Sequence, residues 1–143
     1  MWKELVSQVE QLRCQAKLGG GQERIERQHA SGRLTAHERL ALLMDPGSFV
    51  ELNRFMETRC TDFGLAEKRA PGDGVVTGYG TIDGRRVCVA AEDFTVIGGT
   101  LGESHGEKIC RAMDLAVTAG IPFICIYDSG GARIEEGISS LNV

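Results

Sequence analysis

VVTGYGTIDGRRVCVAAED, residues 75–93, holds two β-rich runs on either side of Asp83-Gly84. An Asp-Gly pair between such runs is a strong signal for a two-residue hairpin. FTVIGGTLG (94–102) follows as a glycine-rich turn. Residues 103–119 then repeat at helical spacing, which predicts a helix with Ile109, Ala112, Met113, Ala116 and Val117 turned inward. Gly120 suits the position just past a helix end, and Pro122 blocks its continuation. PFICIY (122–127) is an unbroken apolar run, as expected of a buried parallel strand. Strand, helix and strand make a βαβ unit, expected to be right-handed. DSGGAR (128–133) follows at the carboxyl end of the last strand, the edge where open α/β structures build their sites.

Working outward, residues 2–17 predict a helix with Trp2, Leu5, Val6, Val9, Leu12 and Ala16 in one apolar stripe. Gly19-Gly20-Gly21 reads as a flexible joint. Residues 22–31 read as a polar helix with no clear buried face. Thr35 and Glu38 form a capping-box pattern ahead of Leu40, Leu42 and Leu43, and that helix stops at Asp45-Pro46-Gly47. Charge changes along the chain. Residues 1–70 carry eleven basic and ten acidic side chains, and residues 71–143 carry five and ten. A join near Ala70-Pro71-Gly72 fits both the charge and the turn chemistry.

The chain has 143 residues, a net charge of −4 and 19 glycines, fourteen of them after residue 60. It is one domain's worth of chain at most, with no apolar run long enough to span a membrane and no secretory signal pattern. The acidic balance argues against nucleic-acid binding. The five cysteines are odd in number and contain no C-x-x-C pair. Free thiols in a reducing cytoplasm are therefore expected, rather than disulfides or a zinc ribbon.

Two segments invite chemistry. The glycines of DSGGAR let the backbone turn and expose N–H groups able to hold a phosphate or a developing oxyanion. The same glycines equally serve a plain strand-to-helix turn. Gly98-Gly99 also precedes a helix, without the spacing of a dinucleotide or Walker loop, and divides between the same two readings. Ser129 lies outside a G-x-S-x-G elbow. His29, His37 and His105 form no metal-ligand pattern and read as surface or capping residues, although a Ser129–His105–Asp triad stays open. Arg24, Arg27, Arg33 and Arg39 alternate with Glu23, Glu26 and Glu38 as on a solvated helical face, with phosphate contact as the lesser reading.

GRLTAHERLALLMDPGSFVEL (32–52), FGLAEKRAPGDGVVTGYGTIDGRRVCV (63–89), EDFTVIGGTLGESHGEKI (92–109) and PFICIYDSGGARIEEGISSL (122–141) resemble, in this order, the carboxyltransferase subunit of biotin-dependent acyl-CoA carboxylases. The likeness is strongest to the propionyl-CoA carboxylase β type and to methylmalonyl-CoA decarboxylases. The resemblance implies an α/β, crotonase-like superhelix of ββα units, incomplete here and preceded by N-terminal helices. Residues 1–31 would be a helical segment, and 32–143 the first part of a truncated N-terminal acyl-CoA carboxyltransferase domain. The implied reaction moves a carboxyl group between carboxybiotin and the α-carbon of an acyl-CoA, through an enolate held by backbone donors, with no metal. Gly130 and Gly131 are carried over as catalytic donors, and Gly98 and Gly99 as substrate-binding residues. The implied partners are acyl-CoA, a biotin carboxyl carrier protein and a biotin carboxylase subunit, in a cytoplasmic homo-oligomer when full length. Biotin, on its carrier, would not be bound by this fragment alone. Two alternatives stand beside this: a non-catalytic truncated module that docks on full-length subunits, and a ClpP-like serine hydrolase using Ser129.

Overall fold

The computed structural model describes residues 1–142. Its helices and strands follow the chain as α1 (Trp2–Lys17), α2 (Gln22–Ala30), α3 (Ala36–Leu43), β1 (Val50–Leu52), α4 (Leu65–Lys68), β2 (Val75–Ile82), β3 (Arg85–Glu92), α5 (Glu103–Ala119) and β4 (Phe123–Ile126). The sheet runs in the order β1-β2-β3-β4. β1–β2 and β2–β3 are antiparallel, and β3–β4 is parallel. Asp83-Gly84 is the two-residue turn of the β2–β3 hairpin, as its sequence predicts. β2, β3 and α5 thus form a ββα unit, with β4 beginning the next.

Helices cover both faces of β2 and β3. Because side chains alternate along a strand, Val87, Val89 and Ala91 share one face, where they cluster with Val76 and with Ala36, Leu40 and Met44 of α3 and its end. Cys88 and Ala90 lie on the other face, equally buried, and α5 packs over β2 and β3. The capping box forms as expected: Glu38 N–H donates to Thr35 Oγ1 at 3.3 Å, and Thr35 N–H donates to the Glu38 carboxylate at 2.8 Å. Gly120 ends α5 in the left-handed region.

Several expectations are corrected. β1 precedes the Ala70–Gly72 join and pairs with β2 beyond it, so one sheet crosses the change in charge. Of the α1 stripe only Ala16 is buried, while Trp2, Leu5, Val6, Val9 and Leu12 lie exposed. An amphipathic pattern reports a face able to be covered, and nothing among the described residues covers this one. The triple glycine is a close approach rather than a loose joint. Gly20 N–H donates to Thr95 Oγ1 at 3.0 Å, and a Cβ on Gly20 would sit 1.8 Å from the Thr95 carbonyl oxygen. β4 is parallel as predicted but only half-buried, because it is the edge strand of this sheet.

The inward face of α5 is also different. Ala112 and Ala116 are buried, but Met113 and Val117 face outward, and Ser104, His105 and Lys108 take the inner positions. The helix is rotated because two of these polar groups, His105 and Lys108, find backbone partners below it, whereas the Ser104 hydroxyl is buried without one. His105 Nδ1 bonds the Asp73 carbonyl at 2.9 Å, and Lys108 Nζ donates to the carbonyls of Gly72 and Val75. Three N–H donors on one ammonium can satisfy carbonyls that an apolar side chain would leave bare.

Lys108 makes stability depend on pH. Burial lowers its pKa to about 8, with Glu51 and Asp73 opposing the shift. An unfolded lysine titrates near its ordinary 10.5, so between the two values unfolding takes up a proton. Stability contributed through this group therefore rises with pH across that window. Burial raises the thiols of Cys88 and Cys125, which act in the opposite sense. They are common to the parent and to Lys108→Met. The difference in melting temperature, parent minus variant, should thus grow from pH 7.5 to 10. Parallel curves would refute the assignment.

Candidate active site

β3 and β4 are parallel neighbours, so their carboxyl ends open at the same edge of the sheet. The turn after β3 carries Gly98-Gly99, and the turn after β4 carries Gly130-Gly131. The structure brings these two pairs together, although 31 positions separate Gly99 from Gly130 in the chain. Gly130 N–H donates to the Gly98 carbonyl at 2.9 Å, and Ser129 Oγ donates to the Gly99 carbonyl at 2.7 Å. Leu101 N–H then meets the Gly131 carbonyl at 2.8 Å, and Arg133 N–H meets the Leu101 carbonyl at 2.7 Å. A short parallel bridge between Leu101 and Ala132 closes the seam. Only glycine fits at 99, where φ is +61° and a Cβ would lie 2.3 Å from the Asp128 carbonyl oxygen.

The amides differ in availability. Gly130 N–H is held by Gly98, and Gly99 N–H by the Val96 carbonyl at 2.9 Å. This corrects the expectation that Gly130 presents a free donor. Gly131 N–H meets only the Ser129 hydroxyl, at 3.1 Å. Among the described residues, Gly98 N–H has no hydrogen-bond partner.

The β4 end is pinned from the helical segments. The Asp128 carboxylate accepts from Arg39, from Arg33 at 3.3 Å and from Gln28 at 3.3 Å, and the Asp128 amide donates to Glu92 at 2.7 Å. Gln28 gives α2 the buried face that its sequence hid. Arg33 also lies over the Phe94 ring, 4.6 Å from its centroid. A cavity of about 440 Å³ opens beside Gly98, lined among others by Arg24, Arg27, Arg33, Lys68 and Phe94. The alternating arginines are therefore split: Arg27 pairs with Glu23 on the surface, whereas Arg24 reaches the Thr95 carbonyl at 3.2 Å and Arg33 and Arg39 hold Asp128.

His105 is fully buried, which corrects its reading as a surface or capping residue. Its Nε2 has no hydrogen-bond partner and lies 3.7 Å from Glu92. Ser129 bonds backbone and His105 bonds Asp73, so no Ser129–His105 contact assembles a triad. His29 and His37 each pair with a carboxylate, Glu38 and Glu51. Among the described residues no group of three His, Cys, Asp or Glu side chains could hold a metal ion, all five cysteines are free, and no helix is long and apolar enough to cross a membrane.

The model of the carboxyl transferase domain matches residues 27–143, a span that contains both glycine turns and the arginines that pin them. The chain belongs to the carboxyl transferase domain family. It is 55% identical over 139 residues to the propionyl-CoA carboxylase beta chain of Cereibacter sphaeroides, covering 97% of this chain and 27% of that one. Against the mitochondrial propionyl-CoA carboxylase beta chain of Homo sapiens the identity is 57% over 135 residues, with 93% and 25% covered. A crystal structure of transcarboxylase 12S, a hexamer assembly with methylmalonyl-coenzyme A and methylmalonic acid bound, superposes with a TM-score of 0.93 at 48% identity. That match covers 99% of this chain and 28% of the other. The carboxyl transferase chain thus has the crotonase-like fold expected from its motifs and spans about a quarter of the length of these relatives.

Proposed function

We propose that this carboxyl transferase chain supplies the coenzyme A side of a biotin-dependent acyl-CoA carboxyltransferase. The observation that carries the reading is the basic cleft opening onto Gly98, where the two glycine turns are joined. A coenzyme A thioester has one end bearing several phosphate charges and one neutral, reactive end. Arg24, Arg33 and Lys68 suit the first, since guanidinium and ammonium groups bind phosphate strongly. The glycine turns suit the second. The Gly98 N–H is unpartnered, and rotation of the Ser129 side chain about χ1, away from the Gly99 carbonyl, frees the Gly131 N–H. Gly99 and Gly130 keep the frame.

Removing a proton from the α-carbon of the thioester turns it towards an enolate, whose oxygen gains negative charge. Fixed N–H donors at Gly98 and Gly131 interact more strongly with that oxygen than with the ground-state carbonyl, which lowers the barrier. Carboxybiotin, when bound, would supply CO2 to the enolate carbon, and the ureido nitrogen it leaves behind would accept the α-proton. We assign the biotin end to parts of the relatives' length that this chain does not span, and we take the biotin carboxyl carrier protein and the biotin carboxylase subunit to be separate partners. The complete protein is placed in a homo-oligomer, in a reducing cytoplasm that suits the free thiols. Residues 1–31 act as a helical accessory segment, and 32–143 as the first part of the transferase domain.

Titration calorimetry of the chain with propionyl-CoA tests the cleft. Binding should weaken about tenfold for Arg24→Gln and for Lys68→Gln, taking each lost phosphate contact at roughly 1.4 kcal/mol. Propionyl-pantetheine, which lacks the nucleotide phosphates, should bind weakly and equally to all three proteins. Absence of binding by the parent, or equal affinity for both ligands, would overturn the reading.

A further inference from the structure

The Arg133 side chain is fully buried and touches no cleft, yet it spans both turns of the site. Its guanidinium donates to the Thr100 carbonyl at 2.9 Å and to Thr100 Oγ1 at 3.3 Å, immediately after Gly98-Gly99. Its own backbone follows Gly130-Gly131 by two residues. The same guanidinium is anchored on Asp73 at 2.8 Å and on Glu136 at 2.7 Å. Glu136 in turn accepts the Glu103 amide at 2.7 Å, at the start of α5. Asp73 sits just before β2, which carries no part of either turn.

We propose that Arg133 is a positioning residue that sets the distance between the Gly98 and Gly131 amides, with Asp73 as its fixed anchor. Two turns joined only by their own backbone bonds would slide along the short bridge at Leu101–Ala132. A planar fork with five donors, held in a dry site by two carboxylates, has one low-energy placement. Through the Thr100 carbonyl it dictates where the first turn ends, and through its own main chain where the second turn ends. Lysine carries the same charge but lacks the fork, so charge alone would not restore the register.

The polarising role rests on the function proposed above, whereas the register role does not. Two measurements therefore separate the failure of one from the failure of the other. In the free chain, amide exchange reports the register. In Arg133→Lys, the Gly130 and Gly99 amides should exchange at least tenfold faster, while Val89 in the central strand changes less than about twofold. In the complex with propionyl-CoA labelled with ¹³C at the thioester carbonyl, the chemical shift reports polarisation. The downfield shift seen with the parent should fall by at least half, while the affinity changes less than threefold.

Should Arg133→Lys fail to fold, Asp73→Asn carries the same two measurements, since asparagine tolerates the positive φ of 47° at that position. Unchanged exchange at Gly130 and Gly99 would overturn the register role. An unchanged carbonyl shift with faster exchange would reduce Arg133 to a purely structural residue. A parent that binds no propionyl-CoA sinks the function proposed above and, with it, the polarising role, but leaves the exchange result to judge the register.

Discussion

Gly99→Ala is expected to destabilise the chain by about 2–5 kcal/mol. Placing an L-residue in the left-handed region costs about 1–2 kcal/mol. Forcing a Cβ against a neighbour in a tight site adds about 1–3 kcal/mol. The neighbour at 99 is the Asp128 backbone carbonyl, 2.3 Å from the added atom, which no side-chain rotation can relieve. Gly84→Ala is the matched control. Gly84 has φ of +74° and nothing within 4 Å of an added Cβ, so only the conformational cost applies. Urea unfolding of the two variants should differ by the steric part. Equal losses would show that the two turns are free to move apart.

Leu40→Ala should lose about 2–5 kcal/mol, the range for emptying a leucine-sized site in a packed core. Leu40 is 1% exposed in the cluster between α3 and the sheet, whereas Leu42, two residues on, is 77% exposed. Leu42→Ala should stay within about 0.5 kcal/mol of the parent. Denaturant midpoints at constant slope measure both. A small loss at Leu40 would mean that α3 is not what seals that face of the sheet.

Both positions show what local sequence can and cannot say. The hairpin at Asp83-Gly84, the capping box at Thr35 and Glu38 and the left-handed stop at Gly120 are encoded within a few residues, and each was legible. The rotation of α5 was not. The sequence places Met113 and Val117 in an apolar period, but the helix turns by what Lys108 and His105 find below, and those carbonyls belong to residues more than thirty positions earlier. The Asp128 clamp is hidden for the same reason. Gln28 and Arg39 look like solvated polar residues until a carboxylate about a hundred positions away folds against them. The glycine turns stand out as turns, and the family resemblance nominates them as a candidate site. Which amides stay free depends on the contact between the turns, and no single-segment pattern carries that.

The contact of Gly20 with Thr95 joins residues 75 positions apart. It makes the docking of the first helices a late event in folding, because such long loops must close before their contacts contribute. During synthesis at roughly 5–20 residues per second, residues 19–24 wait about 4–15 s for the turn after β3 to leave the ribosome. Through that interval the whole of α1 is tethered only to nascent chain, with its tryptophan, leucine and valine stripe in water. The arrival of Thr95 fixes the end of α1 through Gly20 but leaves the stripe itself in water, so a holder of apolar helices meets the same surface before and after docking.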